Sequence, residues 1–131
     1  MNPTRSEEYA CRIIEAMESN RPTVINANVS NTGLISNLPE GSCVEVPCTV
    51  DKLGIHPMTI GDLPPQCASL SRANVAVQEM ATLAITDLDR ESAFHAIALD
   101  PLTAAKLSLA EIRSMFDEMW AANADALKTF S

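Results

Sequence analysis

The chain has 131 residues, enough for one domain with its own core, and 47% of them are apolar, which argues against a disordered chain. Nine Lys and Arg stand against 17 Asp and Glu, for a net charge of −8. The basic residues are scattered singly, which speaks against nucleic acid and anionic membranes as partners, since both need clustered cations. No apolar run approaches the roughly 18 residues of a spanning helix, and the first residues lack the apolar centre of a secretory signal. Four cysteines in such a chain read as reduced thiols of a cytoplasmic protein.

In chain order, Thr4 or Ser6 caps a first helix over about 6–19, with Glu7 or Glu8 in its first turn. Tyr9, Ala10, Ile13, Ile14 and Met17 recur at helical spacing, and Asn20-Arg21-Pro22 ends the helix. The stretch from Thr23 to Ile60 organises the chain. It reads as three strands, with Val24, Ile25, Val44, Val46, Val50, Ile55 and Ile60 as strand material. Gly33, Gly41 and Gly54 sit where turns need positive φ. Pro47 predicts an edge strand, a bulge or an interruption, because a central strand tolerates proline badly.

Pro64 and Pro65 suit the first turn of a long helix over about 64–86. Its stripe is Leu70, Ala73, Val77, Met80 and Ala84, widened by Val75 and Leu83. Thr86 to Asp89 breaks it and caps a shorter helix whose apolar face is Ala93, Phe94, Ile97 and Ala98. Leu102 to Leu107 adds one or two turns. Ser108 and Glu111 then form a capping box before a last helix with Leu109, Ile112, Phe116, Met119, Trp120 and Leu127 as its stripe. The expected fold is α/β of the α+β kind, a small, mostly antiparallel sheet covered by the helices before and after it, in a single domain over 1–131.

The residues carry little chemistry by themselves. Cys11, Cys43, Cys48, Cys67, His56 and His95 are the possible metal ligands, and none stands at a metal-binding spacing. Cys43 and Cys48, five apart in one strand, point to opposite faces. A packed thiol or imidazole is the plainer reading of each. Neither a nucleophile elbow nor a Gly-rich phosphate loop is present. Carboxylates sit mostly at helix starts and on helix surfaces, where capping and solubility account for them. From these residues alone, the chain reads as a binding or assembly domain.

Several ordered motifs carry a family resemblance. They begin with Arg5-Ser6 and Glu8-Tyr9-Ala10, then Val29 with Asn31-x-Gly33-Leu34-Ile35-x-Asn37-Leu38-Pro39, and Val44-Glu45-Val46-Pro47 flanked by Cys43 and Cys48. Val50-Asp51, Gly54, Pro57 and Gly61-Asp62-Leu63-Pro64 follow, then Asn74-x-x-Val77-Gln78, Asp89-Arg90 and Asp100-Pro101-Leu102-Thr103-Ala104-Ala105. This pattern resembles the C-terminal part of family 4 glycoside hydrolases, in particular the α-galactosidase and α-glucosidase branch.

The resemblance implies the C-terminal half of a lactate dehydrogenase-like fold whose Rossmann domain lies upstream. It also implies hydrolysis of α-galactosides or α-glucosides with NAD and Mn2+: oxidation of the sugar at C3, elimination of the glycosidic link, water addition and return of the hydride. The family's nucleotide loop, metal ligands and catalytic groups precede the matched segment. No catalytic, cofactor-binding or metal-binding residue is therefore transferred to this chain, and neither NAD nor Mn2+ is expected to bind it alone. The partners implied are an N-terminal NAD-binding domain or subunit and further copies in a homo-oligomer. Arg5, Asn28, Asn31 and Asn37 are the polar residues in or beside the motifs that could face the sugar, against turn and capping roles for the asparagines. The alternative is a free-standing binding or assembly domain that keeps the fold without activity.

Overall fold

The computed structural model describes residues 8–130. Its elements are α1 (Tyr9–Ser19), β1 (Thr23–Ser30), β2 (Cys43–Asp51), β3 (Gly54–Pro57), α2 (Pro65–Asp87), α3 (Arg90–Leu99), α4 (Pro101–Ala104) and α5 (Leu109–Ala122). They make an α+β architecture that falls into two compact units, divided after Leu63.

The first unit is built on an antiparallel sheet in the order β1-β2-β3. Alternation along the strands puts Ile25, Val44, Val46, Cys48 and Val50 on a buried face, with Ala16 of α1 and Leu34 and Ile35 of the β1–β2 connection completing the core. Cys43 and Cys48 do point to opposite faces, one exposed and one buried. Gly33, Gly41 and Gly54 have φ of 88°, 80° and 120°, as their turns require.

Four expectations are corrected here. Pro47 lies in the central strand, paired with Asn26 in an unbulged register. Its carbonyl accepts from Met58 N at 2.9 Å, so the ring nitrogen faces β3, beyond the end of that strand, and β1 loses no bond. Ile60 is not strand material; its N–H bonds to Leu34 O at 2.8 Å instead. The first helix buries Ala16 with Ile13 beside it, while Tyr9, Ile14 and Met17 of the predicted stripe are exposed. It begins at Tyr9 with Glu8 at the cap position and no acidic residue in its first turn; Thr4, Ser6 and Glu7 lie outside the described residues.

In the second unit α2 packs on α3, and α3 on α4 and α5. The inner positions of α2 include Ala73, Val77, Met80 and Ala84, but Leu70 is 71% exposed and Leu83 also faces solvent. Apolar spacing alone did not reveal which turns of this helix have a neighbour. Phe94, Ile112 and Phe116 form the core between α3 and α5, each side chain stabilising by about 1.5–3 kcal/mol relative to exposure. The last helix stops at Ala122, short of Leu127; Asn123 leaves the helical backbone range, with φ −108° and ψ 16°. Leu109 and Met119, counted in its stripe, are exposed.

Candidate functional site

The most heavily tied segment of the first unit is the connection from Asn31 to Ser42. Asn31 is 1% exposed. Its Nδ2 donates to the carbonyls of Ile35 (3.0 Å), Leu38 (3.2 Å) and Pro39 (3.1 Å), and its Oδ1 accepts from Ile35 N at 3.0 Å. Its own backbone closes the loop, donating to Ser42 O at 2.8 Å and accepting from Gly41 N at 2.9 Å. The loop is then tied to the chain after β3. Ile35 bridges Gly61 in parallel, Ser36 Oγ donates to Asp62 Oδ1 at 2.6 Å, and Asn37 clamps Leu63 from both sides. In that clamp Nδ2 donates to Leu63 O at 2.7 Å while Oδ1 accepts from Leu63 N at 3.0 Å.

These contacts place the predicted site residues. Asn31 and Asn37 are both committed to backbone groups of a partly buried loop and its neighbour, among them Ile35 N, Leu38 O and both polar groups of Leu63. Asn28 is exposed on β1, opposite Glu45 of β2, and is not brought together with either of them. Arg5 lies outside the described residues.

The solvent face of the sheet carries Asn26, Asn28, Glu45, Thr49, Asp51 and His56. His56 Nε2 lies 3.1 Å from Asp51 Oδ1, which also accepts from Leu53 N at 2.7 Å. The Leu53 N–H first, then the His56 ring, hold the Asp51 carboxyl below its ordinary value. A pocket of about 200 Å³ where α1 meets β1 is lined by Arg12, Glu15, Ala16, Arg21, Pro22 and Thr23.

The second unit holds charged groups that join its helices. Arg113 lies over the Phe94 ring, 3.3 Å from its centroid, and grips Glu91 through Nη1–Oε1 at 3.0 Å and Nη2–Oε2 at 2.7 Å. Arg90 stacks near Phe116 and Trp120 and pairs with Asp117. Each cation is thus held between a ring and a carboxylate, an arrangement that joins α3 to α5. The available signal was Arg113 and Asp117 one helical turn apart, matching Arg90 and Glu91 at the start of α3.

Among the described residues, no three of His, Cys, Asp and Glu converge where an ion could sit. Cys11, Cys43 and Cys67 are exposed and separate, and Cys48 is enclosed by the sheet core. All four glycines lie in the first unit, and no two of them are close enough in sequence to cradle a pyrophosphate. No helix among the described residues is long and apolar enough to cross a membrane.

Comparison with known proteins assigns the chain. Residues 2–103 match the model of the family 4 glycosyl hydrolase C-terminal domain. An α-galactosidase of Bacillus subtilis (strain 168) is 46% identical over 126 residues, covering 96% of this chain and 29% of that enzyme. An α-galactosidase of Rhizobium meliloti (strain 1021) is 37% identical over 127 residues, covering 97% of the chain and 26% of the enzyme. Among solved structures, a candidate glucosidase of Bacillus subtilis, lplD, superposes with a TM-score of 0.79 at 28% identity, over 88% of this chain and 26% of that one. A 6-phospho-α-glucosidase from gut microorganisms, solved with NAD and Mn2+, shares the fold with a TM-score of 0.74 at 24% identity, over 87% of this chain and 26% of that one. The chain therefore spans little more than a quarter of the length of these relatives, and it belongs to the family 4 glycosyl hydrolases, whose C-terminal domain it matches.

Proposed function

We propose that residues 1–131 act as the C-terminal domain of an α-galactosidase-like enzyme of the cytoplasm, one that opens O-glycosidic bonds by NAD-assisted oxidation and elimination. The observation that carries this reading is the 46% identity to an α-galactosidase over 96% of the chain. In this reading NAD and Mn2+ are held by an N-terminal NAD-binding domain or subunit, and this chain is inactive alone. Its part is to wall the sugar cleft and to contribute contacts between subunits of a homo-oligomer.

The tied loop suits that part. A wall that positions a sugar must hold its backbone within a fraction of an ångström. Asn31 and Asn37 supply that rigidity by fixing the loop to both flanking segments. They shape the wall rather than touch the sugar.

The test is a chimera in which residues 1–131 replace the matching C-terminal segment of the Bacillus subtilis α-galactosidase. Hydrolysis of p-nitrophenyl α-galactoside with NAD and Mn2+ present is the expected result. A folded chimera that takes up NAD and Mn2+ but leaves the substrate intact would favour an assembly domain without enzymatic use.

A further inference from the structure

The two edges of the sheet are built differently. β3 is four residues long, begins with glycine and ends with proline, so it offers a neighbouring strand little to pair with. β1 is eight residues long and has no proline, glycine or charged side chain in Thr-Val-Ile-Asn-Ala-Asn-Val-Ser. It also has no bulge against β2.

The phase of the ladder shows which backbone groups of β1 are open. Asn31 N bonds to Ser42 O at 2.8 Å, one step beyond the Ser30–Cys43 pair. Odd-numbered residues of β1 therefore bond to β2, and Val24, Asn26, Asn28 and Ser30 direct their N–H and C=O groups away from it. Pro47, which has no N–H to give, stands opposite one of these outward residues, Asn26. Among the described residues nothing bonds to the outward groups. Val24 is 56% exposed, and the side chains of Asn26, Asn28 and Ser30 are exposed with it.

We propose that β1 is a pairing edge for a second copy of this chain, joined antiparallel about a two-fold axis at Ala27. This extends the homo-oligomer part of the reading above and needs none of its sugar chemistry. In that register Asn26 stands opposite Asn28 of the second copy, and Val24 opposite Ser30. On the core side Ile25 stands opposite Val29, and Ala27 opposite itself. Apolar groups meet apolar groups and amides meet amides, so the strand is complementary to its own image. Each chain carries a net charge of −8, and this edge is a stretch where two copies meet without opposing like charges. The two sheets become one, and every outward N–H and C=O of the strand gains a partner.

Light scattering on the purified chain at micromolar concentration and moderate salt tests this. The expected mass is twice the 14.1 kDa of one chain. Asn26→Lys with Asn28→Lys sets lysine against lysine across the axis and weakens association at least about tenfold. Asn26→Glu with Asn28→Lys sets opposite charges at the same positions, keeps a cation beside Glu45, and retains the dimer. Asn28→Pro removes one outward N–H without touching the β2 ladder and also weakens association. Circular dichroism checks that each variant keeps its fold. A monomeric parent chain overturns the proposal, as does a dimer that the two charge variants leave equally intact. Neither result bears on hydrolysis by the chimera.

Discussion

The two units solve the same problem, holding irregular backbone and charged groups in place, by different means. In the first, side-chain amides reach main-chain groups several residues away, so that Asn31 accepts from one N–H and shares its two amide hydrogens among three carbonyls. In the second, the work is done at helix starts and on ring faces. Asp89, Asp100 and Ser108 cap α3, α4 and α5, and Arg113 lies on Phe94. Polarity in a sequence motif is therefore not by itself a sign of ligand contact. An asparagine in a matched motif of the first unit is an internal fastener, while arginines outside the candidate list form the other unit's fastening.

The largest test of this contrast is Asn31→Ala. It leaves Ile35 N and Leu38 O without partners, takes one of the donors from Ile35 O and Pro39 O, and costs about 3–5 kcal/mol. Hydrogen exchange should show lost protection in β1 and β2 with α3 and α5 unaffected. Asn31→Asp sharpens the point, since it keeps the acceptor for Ile35 N and removes the donors; a stability equal to the parent would refute the clamp. In the second unit Phe116→Ala removes the ring between Phe94 and Trp120 and costs about 3 kcal/mol. The single tryptophan, Trp120, reports that loss in a denaturant titration followed by fluorescence. Ser108→Ala breaks the capping box and costs about 1 kcal/mol, seen as a small shift of the same transition.

Acid separates the units more gently. Hydrogen bonds from Ser92 lower the pKa of Asp89, the Arg113 grip lowers that of Glu91, and Ser108 lowers that of Glu111. A carboxylate with a depressed folded-state pKa stabilises fully above its unfolded value and loses that stabilisation as pH falls through the folded one. The ordinary values are 3.8 for Asp89 and 4.5 for Glu91 and Glu111. The contribution of these three carboxylates to the helical unit is therefore full above these values and declines below them. The first unit has Asp51 alone as such a group among the described residues. Trp120 emission should change as acid removes the contributions of Asp89, Glu91 and Glu111.

How much was legible follows from the range of the forces involved. The Ser108–Glu111 box, the proline start of α2 and the turn glycines are set by neighbours within a few residues, and each reads directly from the sequence. The opposite facing of Cys43 and Cys48 follows from strand alternation alone. The inner face of α1, the exposure of Leu70 and the clamp of Asn37 on Leu63 depend on what lies across from them, which spacing does not encode. Pro47 shows the same limit, because its tolerance in a central strand depends on β3 ending before reaching it. The family resemblance was legible because it rests on ordered motifs along nearly the whole chain, and the family match over residues 2–103 agrees with it.

In the proposed reading, this domain lends shape to a sugar-processing site whose chemistry is held by the upstream domain. Incubating the chain by itself with p-nitrophenyl α-galactoside, NAD, Mn2+ and reductant tests that reading most directly. Release of nitrophenol no faster than in buffer is expected; sustained turnover by these residues alone overturns the reading.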